Sequence, residues 1–198
     1  HLRPHAPGYP VYVFLGWLVN HVIRDYLTSL TFLIAILGSL SVVPFHLLLK
    51  QLVGHKIAIC GSLLFLANPL FWVFSETALA DVPAVFFGML SVLLMYRGVT
   101  TRNYYMVACL VTGLSVGVRQ SNFAVGLLLL LVSVYFCLNV KRFDIKHIAW
   151  GIVLFAIGVG VWFVPMIVIG SDGLSGYIEV IRQQWANVVS VSDASNVE

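Results

Sequence analysis

Charge is what this chain has least of. Only 10% of its 198 residues are Asp, Glu, Lys or Arg, where a soluble domain carries about 25%. With 60% hydrophobic residues and a mean hydropathy of +0.97, that scarcity excludes a soluble domain, because the exposed apolar surface would drive aggregation. Acids number eight and Lys plus Arg eleven, so there is no strong field of either sign and no basic patch for nucleic acid. Cysteine is sparse as well. Cys60, Cys109 and Cys137 sit inside apolar runs without C-x-x-C spacing, and they read as small core residues with no metal site. A glycine-rich phosphate loop, a Ser-His-Asp arrangement, a solenoid-type repeat and a low-complexity linker are all missing too.

Long apolar runs are there instead. A bilayer span needs about 20 residues, and six stretches qualify: Thr28–Leu49, Ile57–Phe74, Ala78–Tyr96, Asn103–Val118, Asn122–Val140 and His147–Ile169. A seventh, Val11–Ile23, is shorter and carries Asn20 and His21, so it reads as an interfacial or re-entrant helix. The expected fold is all-α, a polytopic transmembrane helical bundle of about six spans plus an interfacial N-terminal helix. Residues 1–27 are expected to close an extracytoplasmic loop and carry that helix. Residues 28–169 form the bundle, and the polar tail 170–198 opens an extracytoplasmic loop or domain.

Charge placement orients this arrangement. If Val11–Ile23 does not span, the loops holding Lys50, Lys56, Arg97, Arg102, Lys141, Arg142 and Lys146 share one side with a single acid, Asp144. The other side holds Arg3, Arg24, Arg119 and Arg182 with seven acids. The basic side is then cytoplasmic by the positive-inside rule. Both chain ends and the loops near residues 75–80 and 119–121 face outward, which places the protein in the cell membrane with an extracytoplasmic active face.

On that outer face, ionisable groups near the bilayer are functional candidates by default. The opening HLRPHAPGYPVY contributes Arg3 and His5, held in a stiff loop by Pro4, Pro7 and Pro10, since proline cannot sit in a helix interior and extends the residue before it. Its start, without a Met or a charged leader, is expected to be the middle of a longer protein. Arg24 and Asp25 are adjacent and read as solvated together. SETALADVP supplies Glu76 and Asp81. Asp81 two residues before Pro83 also has the form of a helix start, where an acid is favoured by the helix dipole. GVRQSN places Arg119 between two apolar runs beside Gln120, Ser121 and Asn122. Arg119 either snorkels to the headgroups or binds phosphate, which its planar fork suits. The Gly113–Gly117 pair in GLSVG reads as ordinary close helix packing. Carboxylates and cations at one boundary suit a substrate with a lipid tail and an anionic headgroup. A carboxylate deprotonates an acceptor hydroxyl, while cations stabilise a phosphate leaving group.

These stretches resemble a known family. RPHAPGYPVYVFLG resembles the His-Pro-Pro or Lys-Pro-Pro segment of the glycosyltransferase C superfamily, which includes the protein O-mannosyltransferases and the aminoarabinose transferase of lipid A. LFLANPLFWVFSETALADVPAVFFGMLSVLLMY is similar to that family's span, short outer loop and carboxylate-led span, and GLSVGVRQSNFAVGLLLLL to a stretch that usually carries a Lys. GLSGYIEVIRQQW matches family tails. The resemblance implies transfer of a sugar from a polyprenyl-phosphate donor, dolichyl-phosphate sugars included, to an acceptor protein, lipid or glycan. It implies that His5 lies beside the active site, Asp81 at its rim and Arg119, with Arg3, at the donor phosphate. It also implies a catalytic Asp before residue 1, leaving His5, Asp81 and Glu76 as the candidates within this chain, which is expected to be inactive alone. A divalent metal stays open as a cofactor. The opposing reading is a multi-pass transporter or flippase for a lipid or small solute. Transporters carry buried mid-span charges, and these runs have almost none.

Overall fold

A computed structural model of the chain describes residues 9–139, 145–170, 173–179, 181–183 and 186. The described residues are mostly helical and include no strand. Eight α-helices follow in order: α1 (Pro10–Ile23), α2 (Tyr26–Val53), α3 (His55–Leu66), α4 (Pro69–Glu76), α5 (Asp81–Gly98), α6 (Arg102–Val118), α7 (Phe123–Asn139) and α8 (Ile145–Gly170). A 3₁₀ turn over Gln120–Asn122 joins α6 to α7. Among the described residues, three helices are long and apolar enough to cross a membrane, namely α2, α5 and α8 over Ile145–Val168. The bent pair α3–α4 raises the number to four if it is one span.

That bend corrects the unbroken run expected over Ile57–Phe74. The helix stops at Ala67, and α4 restarts at a 52° angle. The cause is local chemistry. The Asn68 side chain accepts the Leu70 N–H at 3.0 Å, Pro69 occupies the first helical position where its missing N–H costs nothing, and the Trp72 ring N–H donates to the Leu66 carbonyl that the break exposes. A short apolar run thus holds a complete helix cap.

The other boundaries follow the same logic. Arg24 closes α1 in the left-handed region, φ 61°, its N–H bonded to the Asn20 carbonyl at 2.9 Å. Asp25 caps α2 by accepting the Thr28 N–H at 2.8 Å, and those hydrogen bonds hold its carboxyl below the usual range. The pair read as solvated together therefore ends one helix and starts the next.

Packing relies on small residues. The buried face of α2 repeats at Leu30, Leu33, Ile34, Leu37, Gly38 and Ser41, the three-to-four spacing of one helix face. Val82 of α5 and Tyr12 of α1 belong to the same core. A second core joins α5, α6 and α7 through Met95, Tyr105, Cys109 and Leu129, with Leu154 and Phe155 of α8 packed on it. At the seam between α6 and α8 the backbones nearly touch. A Cβ on Gly113 would collide with the Phe155 carbonyl and stand 3.0 Å from the Gly158 Cα. The Trp162 ring lies over Gly117 and donates to the Gly113 carbonyl at 3.0 Å. Gly113 and Gly117 thus serve helix packing, as the sequence suggests.

Candidate functional site

The first turn of α5 and the α6–α7 junction meet at one end of the bundle. Asp81 is the first residue of α5, with Pro83 in the opening turn, the helix start that the sequence anticipates. Arg119 is extended, φ −156° and ψ 132°, so α6 ends there and the chain turns through Gln120–Asn122 into α7. The two residues form an ion pair from the Arg119 Nη1 to the Asp81 Oδ1.

What holds Arg119 there is Asn122, a residue the sequence reading noted only as a polar neighbour. Asn122 is 8% exposed. Its Nδ2 donates to the Ala84 carbonyl of α5 at 3.0 Å and to the Ser115 carbonyl of α6 at 3.4 Å. Its backbone N–H reaches the Arg119 carbonyl at 3.0 Å, and the Arg119 N–H reaches the Ser115 carbonyl at 3.2 Å. One buried amide thus ties the start of α5 to the end of α6, and this clamp brings Arg119 opposite Asp81. Its signal in the sequence is a lone polar triplet between two apolar runs, where a buried amide without partners would cost several kcal/mol.

The pair is built to be exchangeable. Its side chains are 34% and 37% exposed, and ion pairs with such access to solvent contribute about 0–1 kcal/mol. A guanidinium has five N–H donors, so engagement through Nη1 does not exhaust it. A phosphate group arriving beside the pair, with two oxygens to offer the guanidinium, therefore competes for Arg119.

A groove leads away from it. The cavity, about 530 Å³, has Asp81, Arg119, Ser121 and Asn122 at one end and then Val85, Met89 and Val92 along α5, with Phe45 and Leu48 of α2 and Val125 of α7. From Asp81 to Val92 the helix rises about 16 Å. Across from Asn122, Gly88 leaves the groove open, with nothing nearer than 3.8 Å to a Cβ placed there. The arrangement is a polar head on an apolar channel.

The other sequence candidates are not gathered here. Glu76 ends α4 and lines a separate cavity of about 330 Å³ with Ser39, Trp72 and Ser75. Among the described residues it makes no ion pair. Arg3 and His5 lie outside the described residues. Among the described residues, no three His, Cys, Asp or Glu side chains cluster as a metal site would require.

A family model described as dolichyl-phosphate-mannose-protein mannosyltransferase matches residues 4–168, a stretch that includes Asp81, Arg119, Asn122 and the whole groove. No curated protein and no solved structure matches the chain.

Proposed function

Because this chain belongs to the dolichyl-phosphate-mannose-protein mannosyltransferase family, we propose that it is part of a membrane glycosyltransferase that takes its sugar from a polyprenyl-phosphate donor. One observation carries the reading: the ion pair of Asp81 and Arg119 stands at the mouth of an apolar groove. A polyprenyl-phosphate sugar has the same two parts. Its isoprenoid chain lies along Val85, Met89 and Val92, and its phosphate meets Arg119.

In this reading the acceptor hydroxyl attacks the sugar's anomeric carbon. The bond from that carbon to the phosphate oxygen breaks, a new bond to the acceptor oxygen forms, and the hydroxyl proton passes to a general base. The polyprenyl phosphate leaves with the bonding electrons. Arg119 stabilises the charge that grows on the phosphate. Asp81 is a positioning residue that holds the guanidinium across the groove mouth, and Asn122 holds the backbone that carries it. Arg3, His5 and Glu76 remain proposals from sequence for the donor and acceptor sides.

The proposed topology has about six spans, formed by α2, the bent α3–α4 pair, α5, α6, α7 and α8, with α1 interfacial and residues 170–198 opening an outer segment. The basic loops then face the cytoplasm, and the Asp81–Arg119 end faces the extracytoplasmic side of the cell membrane, where an acceptor protein, lipid or glycan arrives.

Donor binding tests this. In proteoliposomes, a radiolabelled polyprenyl-phosphate mannose is expected to bind the wild-type chain and to bind Arg119→Ala roughly 10- to 100-fold more weakly, the range for a lost charge-assisted contact. Equal binding by both proteins would contradict the assignment.

A further inference from the structure

The clamp at the groove mouth leaves one atom unused. The Asn122 Nδ2 donates to the Ala84 and Ser115 carbonyls at 3.0 and 3.4 Å. Both partners can only accept, so the orientation of the amide is fixed and its carbonyl oxygen, Oδ1, takes no part in the clamp. Among the described residues no donor reaches Oδ1. Asn122 is only 8% exposed, and a buried amide oxygen without a partner costs free energy. Native structures hold few such atoms, and each calls for a cause.

Oδ1 is not sealed in the packing. Among the described residues, the one sealed side-chain atom without a partner is the Tyr12 hydroxyl, so Oδ1 keeps an open side. That side is the groove. Asn122 and Gly88 both line it, and Oδ1 is the atom nearest to a Cβ placed on Gly88, at 3.8 Å. The bare Gly88 thus leaves the space in front of Oδ1 free. Val85 and Met89 follow Ala84 and Gly88 by one residue each, about 100° further round α5. The apolar wall and the Asn122 wall therefore flank the groove from different sides.

The head of the groove combines one guanidinium with two acceptors, the Asp81 carboxylate and the Asn122 Oδ1. A ligand that fills it excludes water from Oδ1, and one that brings no donor of its own loses affinity. An ionised phosphate offers acceptors only. A sugar phosphate offers both parts, because its 2-hydroxyl sits on the carbon next to the anomeric carbon. The phosphate oxygens then face Arg119 and the hydroxyl faces Oδ1. We infer that the Asn122 Oδ1 accepts a hydrogen bond from the 2-hydroxyl of the donor's sugar, which makes the groove selective for the sugar-charged lipid over the bare lipid phosphate left after transfer. The inference rests on the donor reading of this groove. It gives Asn122 two tasks: Nδ2 positions Arg119, and Oδ1 selects the substrate. Once the sugar has moved to the acceptor, that hydrogen bond is gone and the spent lipid leaves more readily.

The test uses the whole chain in proteoliposomes with three lipids of one chain length: polyprenyl-phosphate mannose, its 2-deoxy analogue and bare polyprenyl phosphate. Wild type is expected to bind the mannosyl lipid roughly 3- to 10-fold more tightly than the 2-deoxy analogue, the range for one neutral hydrogen bond. The bare phosphate is expected to bind more weakly than the mannosyl lipid as well. Asn122→Ala loses the clamp and weakens all three, but the mannosyl to 2-deoxy ratio is expected to fall to about one, and that ratio isolates Oδ1 from any change in the fold. Gly88→Ser keeps the Nδ2 bonds and sets a hydroxyl of its own before Oδ1, so it is expected to lower the ratio too. Gly88→Ala, with a methyl in ordinary contact and no hydroxyl, is expected to keep it. Equal binding of the mannosyl and 2-deoxy lipids by wild type, or an undiminished ratio in Asn122→Ala, would overturn the inference and leave the groove as the donor site. Tighter binding of the bare phosphate would overturn the selectivity. Absence of binding by all three lipids would overturn the donor reading itself.

Discussion

The two ends of the bundle hold cations on opposite terms. At one end Arg119 faces its own carboxylate, Asp81, and a buried amide fixes the backbone beneath it. At the other end the Arg102 guanidinium donates to the His147 Nε2 at 2.7 Å, which ties the start of α6 to the start of α8. The first end is neutral until a competing anion arrives, so it suits a ligand that must bind, react and leave. The second joins two helix starts directly, so it serves packing. The difference teaches that the partner a cation holds, more than its presence, separates a ligand site from a packing contact.

The strongest way to break the comparison is to break the seam that connects the ends. Gly113→Val forces a side chain into the Phe155 carbonyl and the Gly158 backbone. It is expected to cost about 3 kcal/mol, the upper part of the overpacking range, and to weaken donor binding at Arg119 as well. Urea unfolding in mixed micelles reads the stability. A mild Gly113→Val phenotype would mean that the ends are not coupled through α6 and α8.

Asn122→Ala sharpens the comparison by acting on one end alone. The Ala84 carbonyl loses its Asn122 partner and the Ser115 carbonyl keeps only the Arg119 N–H, a loss expected to cost about 1–3 kcal/mol. Donor binding is expected to fall, while hydrogen exchange at the starts of α6 and α8 stays at the wild-type level. Equal losses at both ends would reduce Asn122 to a general stability residue.

Asp81→Asn probes the neutral end more gently. Because the ion pair is about one-third exposed, unfolding stability is expected to change by no more than about 1 kcal/mol. Donor binding is expected to change by a smaller factor than in Arg119→Ala, since the guanidinium remains. A larger loss in Asp81→Asn than in Arg119→Ala would make Asp81 the principal contact.

The smallest effect is expected at Asp25, which belongs to neither end's site. Its carboxyl is held below the usual range by the Thr28 hydrogen bonds, so its contribution is present above the unfolded carboxylate's pKa and disappears as pH falls through the lower folded value. Thermal unfolding of wild type and Asp25→Ala is expected to differ slightly at neutral pH and to converge in acid. A difference that grows in acid would contradict the capping role.

Much of this was legible in the sequence because the apolar runs and their caps are local. The Asp-x-Pro signal marked the start of α5, and Gly113 with Gly117 marked a close helix contact. The break at Ala67–Asn68 was concealed because hydropathy averages over a window, while the Asn68 cap and Pro69 act on single hydrogen bonds. The pairing of Asp81 with Arg119 was out of reach for another reason. Both were visible as candidates, but only the packing of α5 against α6 brings them together, and that packing rests on Asn122 bonding across to Ala84. The hydrogen bond of Arg102 to His147 has the same character, since 45 residues separate the two.

The most direct measurement is photo-crosslinking of a polyprenyl-phosphate sugar to wild type, Arg119→Ala and Arg119→Lys in proteoliposomes, with helix content checked by circular dichroism. The account predicts labelling of the α5 groove near Val85 and Met89 in the wild type, loss of most of it in Arg119→Ala, and partial recovery in Arg119→Lys. Wild-type levels of labelling in a folded Arg119→Ala, or labelling confined to segments outside the groove, would contradict it.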